Sequence, residues 1–352
     1  MHTILVTGGA GFIGSNFIKH FRDKHPTSRI LNVDALTYAG NLENVQAFEH
    51  DPLYVFRKID IRDRPAIDEL FSLFEIDEVV HFAAESHVDR SILEPELFLS
   101  TNILGTQVLL DTAMRHWNWK RDPDDKYSRD YRDNVCFLHV STDEVYGSLG
   151  ETGFFTEETP LAPNSPYSAS KAGSDLLVRS YHKTYGLPIK ITRCSNNYGP
   201  YQFPEKLIPL MVHHCMTDQL LPVYGDGGHI RDWLHVQDHC EAIDLVRQKG
   251  RVGEVYNIGG HNEKTNLELV RTILRAFDLP DDRIQFVTDR PGHDRRYAID
   301  ATKMQDELGW VPRYSFGQGI EETIEWYRSH PEWVERIVSG AYKTYYQDMY
   351  SS

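Results

Sequence analysis

The chain has 352 residues, 40 % apolar and 12 % aromatic, with 37 Lys and Arg against 52 Asp and Glu and a formal net charge of −15. That apolar content supports a large core and excludes a disordered chain. The acidity argues against non-specific binding to nucleic acid or anionic membrane.

In chain order, Thr3–Thr7 reads as a first strand. A glycine-rich turn follows, and then a helix over 14–25, with Phe17, Ile18 and Phe21 at helical spacing and Pro26 as its stop. Further strands are expected at 29–33, 53–56, 78–82, 135–140 and 189–193, with a helix running from Tyr167 towards Tyr185. Strands alternating with helices predict an α/β fold, a doubly wound parallel sheet of Rossmann-like type. After about Asn196, prolines and glycines cluster and aromatic loops become common. We therefore expect a nucleotide-binding half over 1–195 and a smaller, loop-rich substrate half over 196–352, with 254–258 returning to the first sheet. The polar stretch 120–134 reads as a surface insertion. No apolar run approaches the ~20 residues of a membrane helix, and no signal-peptide pattern opens the chain. Cys136, Cys194, Cys215 and Cys240 are widely spaced. A soluble cytoplasmic protein with reduced thiols is the expectation.

Chemistry enters at Thr7-Gly8-Gly9-Ala10-Gly11-Phe12-Ile13-Gly14, between the first strand and the first helix. Glycines there permit a tight turn and close backbone approach to a pyrophosphate, with helix N–H groups aimed at the anion. Asp34 lies 20 residues after Gly14, at the end of the second strand, where a carboxylate binds an adenosine ribose. Its charge repels a 2′-phosphate, so NAD is expected rather than NADP.

Tyr167 and Lys171 stand at i and i+4 on the start of a helix and share one face. Alone, that spacing describes many surface pairs. After a dinucleotide-binding half it points to a phenol base whose high pKa is lowered by a neighbouring ammonium. The strand over 135–140 runs out into Ser141-Thr142-Asp143-Glu144-Val145-Tyr146-Gly147, at the end of the sheet where ligands sit. Asp143 there serves either as a helix cap or, with Glu144, in a second acid/base step beyond hydride transfer.

These motifs resemble the extended short-chain dehydrogenase/reductase superfamily, and several longer strings resemble its dTDP-glucose 4,6-dehydratase family. They are Ala83-Ala84-Glu85-Ser86-His87-Val88-Asp89-Arg90-Ser91, the 141–147 string, Arg193-Cys194-Ser195-Asn196-Asn197-Tyr198-Gly199-Pro200, Pro204-Glu205-Lys206-Leu207-Ile208-Pro209, Ile230-Arg231-Asp232-Trp233 and Arg290-Pro291-Gly292-His293-Asp294. The resemblance implies a lyase that oxidises the glucose C4 of a nucleotide sugar, eliminates water across C5 and C6, and returns hydride to C6. It implies Tyr167 as base at the C4 hydroxyl, Thr142 holding that oxygen, Glu144 as base at C5, and Asp143 as acid at the C6 hydroxyl. Tightly bound NAD is expected at Gly8, Gly11, Phe12, Ile13, Gly14, Asp34, Ala35, Leu36, Thr37, Asp60, Ile61, Ala83, Ala84, Glu85, Ser86, His87, Thr101, Tyr167, Lys171 and Asn197. The dTDP-glucose substrate is expected at His87, Thr142, Asn196, Lys206, Leu207, Pro222, Val223, Tyr224, Arg231, Asn266, Arg290 and His293. Arg231 and Arg290 offer planar donors to a diphosphate, and Tyr224 a face for a base. The family also implies a homodimer built on helices over 97–116 and 167–185.

A metal is not expected. His213 and His214 are adjacent, and His235 and His239 straddle a strand–helix junction with no further ligands in sequence. His81 reads as a core histidine, and Asp122–Asp125 and Glu157–Glu158 as solvated faces. Trp117 and Trp119 belong to core or interface. The rival readings are a sister 4-epimerase or C6-decarboxylating enzyme, which needs no acid and base at C6 and C5, and a silent NAD-binding regulator, which need not retain all five of Thr142, Asp143, Glu144, Tyr167 and Lys171.

Overall fold

The computed structural model describes residues 1–118 and 129–340. β1 (Thr3–Thr7) is buried along its length, as a continuous apolar run in a covered parallel sheet should be. α1 (Phe12–Lys24) buries Phe17, Ile18 and Phe21 against that sheet. There follow β2 (Arg29–Asp34), β3 (Tyr54–Lys58), α2 (Arg64–Leu73) and β4 (Glu78–His81). Asp63 caps α2 by accepting the Ala66 N–H at 3.1 Å. α3 (Val88–Leu93) and α4 (Pro95–Phe98) lead through a π-helical stretch, Leu99–Gly105, into α5 (Thr106–Trp117). The helix expected over 97–116 is thus divided, and the π stretch brings Asn102 against the Glu85 carbonyl at 3.0 Å.

β5 (Cys136–Thr142), α6 (Pro166–Tyr185) and β6 (Ile189–Cys194) follow. α6 begins with a Ser165–Ser168 capping box and stops at Gly186, whose φ of 72° is the left-handed C-terminal position. Beyond it come β7 (Asn196–Tyr198), α7 (Leu207–Met216), β8 (Leu221–Tyr224), β9 (Ile230–His235), α8 (Val236–Lys249), β10 (Val255–Ile258) and β11 (Glu263–Thr265). α9 (Asn266–Ala276), β12 (Ile284–Val287), α10 (Thr302–Leu308), α11 (Phe316–Ser329) and α12 (Pro331–Val338) complete the described elements.

Seven strands form one parallel sheet in the order β10-β6-β5-β4-β1-β2-β3. β1 pairs with β2 on one side (Thr7↔Val33) and β4 on the other (Thr7↔His81), so the chain order reverses there and opens a crevice at the carboxyl ends. β10 lies beside β6 (Val255↔Ile191), as expected for 254–258. β11-β9-β7 and β12-β8 form two small sheets.

One core cluster joins α1 and α8 to the sheet, a second joins α2, α5 and α6, and a third fills the space among α7, α9 and α11. Trp117 belongs to the second cluster, with its indole N–H on the Ile76 carbonyl at 2.8 Å. Trp119, Asp122–Asp125 and most of the 120–134 stretch lie outside the described residues. Glu157 is not merely a solvated acid: its carboxylate accepts the Asn257 N–H at 2.8 Å and so anchors β10. No helix among the described residues is long and apolar enough to cross a membrane.

Candidate active site

The glycine turn is built as its sequence requires. Gly8 has φ 71°, and a Cβ on Gly14 would stand 2.3 Å from the Gly8 carbonyl, so any side chain there breaks the turn. Asp34, at the end of β2, accepts the Ala10 N–H at 3.0 Å and the Leu36 N–H at 2.8 Å. Burial raises its pKa and these two N–H groups oppose the rise.

A cleft of about 450 Å³, within the usual size of a small-ligand site, opens above this turn. It is lined by Gly8, Gly11, Phe12, Ile13, Gly14, Asp34, Ala35, Thr37, Asp60, Ile61, Ala83, Ala84, Glu85, Ser86, Thr101, Tyr167, Lys171 and Asn197. Two residues expected with them stand elsewhere. Leu36 is turned by a φ of 53° and contributes its N–H to Asp34, and His87 lines the neighbouring cleft. Asp60 is held in place by the Arg62 guanidinium, which lowers its pKa.

The chemistry gathers at the floor of this cleft, where β5 ends. Thr142 is the cap of a short helical turn, Asp143–Tyr146, and its hydroxyl accepts the Glu144 N–H at 3.3 Å. The same hydroxyl donates to the Asp143 carboxylate at 3.2 Å. So the capping role belongs to Thr142, and both acids are left for other work. Asp143 is 1 % exposed, and its Oδ2 has no hydrogen-bond partner. Burial, Glu144 and Asp232 drive its pKa well above the ordinary carboxylate range. Burial also raises Glu144, but the cations Arg290, Arg231 and Lys206 pull against it. Both acids are raised, Asp143 the further of the two, because Glu144 has three cations opposing its burial and Asp143 has Glu144 and Asp232 adding to its own.

Tyr167 and Lys171 project from the first turns of α6 into the same cleft. The Lys171 ammonium donates to the Val140 carbonyl at 2.9 Å. Lowering of the phenol by Lys171 is not met by the protein groups alone, because burial and Glu144 push Tyr167 well above its ordinary value.

Glu144, Asn196, Asn197 and Lys206 line both this cleft and a second one. The second is walled by His87, Leu207, Pro222, Val223, Tyr224, Arg231, Asn266, Arg290 and His293. Eight elements or loops thus bring together residues scattered over two hundred positions of sequence. Several polar atoms here are buried with no partner, among them Asn196 Oδ1, Asn266 Oδ1 and Arg290 Nε. Unpaired buried polar atoms are costly, and a polar ligand satisfies them. Arg231 is fixed by donating to the Ile230 and Asp294 carbonyls at 2.8 and 2.9 Å. The Arg290 guanidinium lies 3.4 Å from Asp89 and 6.0 Å from the Tyr224 ring centroid.

Glu205 belongs to the site and was not singled out from sequence. It lines both clefts, stands 3.5 Å from His87 and is pushed up to about 7 by burial. Its place beside Lys206 in the same string is the signal by which sequence could have found it. Tyr38, Gln202 and Phe203 also line the first cleft, and Trp233 the second.

The histidine pairs flagged in sequence have other duties. His235 stacks on Tyr314, and His239 bonds Asn197 Oδ1 at 2.8 Å. His81 bridges Thr7 and Thr106 at 2.7 and 2.9 Å, a satisfied core residue. A different trio comes together instead: Asp289 spans His229 at 3.3 Å and His293 at 2.7 Å, with the two rings stacked 3.7 Å apart. Both carboxylate oxygens are thereby taken by imidazoles.

Residues 5–323 match the GDP-mannose 4,6 dehydratase family. A dTDP-glucose 4,6-dehydratase of Xanthomonas campestris is 54 % identical, over 97 % of this chain and 98 % of that protein. The crystal structure of a dTDP-glucose 4,6-dehydratase from Bacillus anthracis in complex with NAD matches with a TM-score of 0.86 and 50 % identity, over 96 % of this chain and all of that one. That of the Streptomyces venezuelae dTDP-glucose 4,6-dehydratase, with NAD and TYD bound, gives 0.87 and 47 % identity over 95 % and 99 %. The chain belongs to the dTDP-glucose 4,6-dehydratase family.

Proposed function

We propose that this protein dehydrates dTDP-glucose to dTDP-4-keto-6-deoxyglucose, using NAD that stays bound through each turnover. The carrying observation is the adjacent Asp143–Glu144 pair beside Tyr167 in the first cleft, with Glu144 also lining the second and Asp143 raised further than Glu144 by its surroundings. An epimerase acting only at C4 has no use for that pair, and a silent binding protein has no reason to bury it.

The first cleft fits a dinucleotide: Gly14 leaves room for nothing but backbone beside Gly8, and Asp34 stands at the end of β2. When bound, NAD supplies a cationic nicotinamide beside the phenol and the hydride sink and source for oxidation at C4 and reduction at C6. Tyr167 removes the C4 hydroxyl proton, and Thr142 holds that oxygen. A C4 ketone acidifies the C5 proton, which Glu144 takes. Asp143, kept neutral by burial, delivers its proton to the C6 hydroxyl, which leaves as water. Arg231, Arg290, Lys206, Asn196 and Asn266 hold the diphosphate and sugar, and Tyr224 and His293 frame the base. Residues 1–195 supply the NAD half and 196–352 the nucleotide-sugar half, with β10 returned to the larger sheet.

Exposed Leu93, Leu99, Leu104 and Leu176 on the 88–117 helical stretch and α6 support a homodimer through that face. The four free thiols accord with a cytoplasmic setting.

Purified protein given dTDP-glucose and no added NAD should yield a nucleotide sugar lighter by one water. A product of unchanged mass with altered C4 configuration would reverse the assignment.

A further inference from the structure

We propose that Asp175, one helical turn beyond Lys171 on α6, is the buried counter-charge that keeps Lys171 an ammonium during turnover. The proposal rests on the reaction proposed above, in which Tyr167 needs a cation beside it.

Asp175 is 1 % exposed and Lys171 5 %, so neither charge is relieved by solvent. Burying a carboxylate is costly unless it is paired. Asp175 accepts from Arg193 Nε at 2.8 Å and faces His139 Nε2 at 3.3 Å. Arg193 continues the chain of contacts to the Tyr146 hydroxyl at 2.9 Å, which donates to Asn257 at 2.8 Å. The pair therefore sits beneath both catalytic segments, the Tyr167–Lys171 turn of α6 and the 142–146 turn after β5.

The spacing gives the geometry its meaning. Tyr167, Lys171 and Asp175 recur every four residues along one face of one helix. Among the described residues, His81 from β4, His139 from β5 and Cys194 from β6 also face Lys171, while Arg193 from β6 pairs with Asp175. Burial leaves His81 and His139 neutral, the latter pushed down to about 4. Cys194 stays a thiol, since burial raises it. Arg193 is a second cation, so Asp175 is the group that opposes burial of the Lys171 charge. Burial lowers Lys171, and Asp175 raises it. Burial in turn raises Asp175, but Arg193 and His139 hold it down to about 2, ionised throughout the working range. Asp175 touches neither cleft, so it is a positioning residue acting through Lys171.

Asp175→Asn keeps the shape and removes the charge. In the holoenzyme the alkaline limb of the pH–rate profile should move to lower pH by about one unit or more. In protein labelled with ¹³Cε-lysine, the Lys171 titration midpoint, assigned with Lys171→Arg, should fall in step. Asp175→Glu should restore most of both. If Asp175→Asn does not fold, Asp175→Glu alone should move limb and midpoint in the same direction by less. A lowered melting temperature with both limb and midpoint unmoved would make Asp175 merely structural and overturn the proposal. A wild-type protein that releases no water from dTDP-glucose, with the Lys171 midpoint still lowered by Asp175→Asn, would overturn the reaction and leave the counter-charge standing.

Discussion

Replacing Glu144 by Gln is the sharpest way to separate the two halves of the reaction. The change is nearly isosteric and removes one buried negative charge. In the native site Glu144 raises Asp143, and it raises Tyr167 as well, in each case after burial itself. Its loss makes the phenol easier to ionise, so oxidation at C4 should fall by less than about tenfold. Proton abstraction at C5 loses its base, and a positioned base contributes roughly 10²–10⁴-fold. That corresponds to about 2.7–5.4 kcal/mol of barrier at 1.36 kcal/mol per tenfold. The 4-keto-glucose nucleotide should therefore accumulate on the enzyme, and the C5 position should cease to exchange with deuterated solvent. Rapid quenching followed by mass spectrometry reads both. Equal loss of oxidation and elimination, or retained C5 exchange, would refute Glu144 as the C5 base.

Two further perturbations test other parts of the molecule. Gly14→Ala places a Cβ 2.3 Å from the Gly8 carbonyl, whereas the same change at Gly11 meets that carbonyl at 3.3 Å. Purified Gly14→Ala should retain no NAD after gel filtration, and Gly11→Ala should keep part of it; equal retention would remove the glycine turn from the cofactor site. Arg247, at the opposite end of the sheet, pairs with Glu78 at 2.7 Å and Asp244 at 2.9 Å. Burial raises both carboxylates, but Arg247 with His2 at Glu78, and with His20 and His25 at Asp244, more than offsets it. Arg247→Met should cost about 3–5 kcal/mol at neutral pH, by taking the cation from buried Asp244 and partly buried Glu78. Lowered folded-state pKa values stabilise above the ordinary carboxylate range and lose that contribution as pH falls. The stability gap between wild type and Arg247→Met should therefore narrow on acidification, with turnover per folded molecule unchanged. A gap constant with pH would show that Arg247 acts through packing alone.

Much of this site was legible in the sequence because its chemistry is local. The Gly8–Gly14 turn, the Tyr167–Lys171 spacing and the Thr142-Asp143-Glu144 run each lie within one strand–turn–helix junction, where residue spacing sets geometry. β1 is found at Thr3–Thr7 as expected, and the other early strands to within a residue or two, since each reads as a short apolar run. What sequence concealed is non-local. Glu205 acquires meaning only when the turn before α7 sets it against His87, and Asp175 only when β6 delivers Arg193 to it. The π stretch Leu99–Gly105 breaks no propensity rule, so a continuous helix was expected there. The trio His229, Asp289 and His293 joins two loops some sixty residues apart, out of reach of any spacing pattern.

The net charge of −15 argued against nucleic acid and anionic membrane as non-specific partners. It left the question of how an acidic chain holds two diphosphates: the Gly8–Gly14 turn at the start of α1 answers for one, and Lys206, Arg231 and Arg290 gathered in the second cleft for the other. The central claim is that one hydride leaves C4 and comes back at C6 within a single active site. dTDP-glucose carrying deuterium at C4, turned over in ordinary water and examined by proton and deuterium NMR, tests that directly. The account predicts the label at C6 of the 4-keto-6-deoxy product, beside a solvent-derived proton at C5. Label lost to solvent, or found in free NAD, would contradict it.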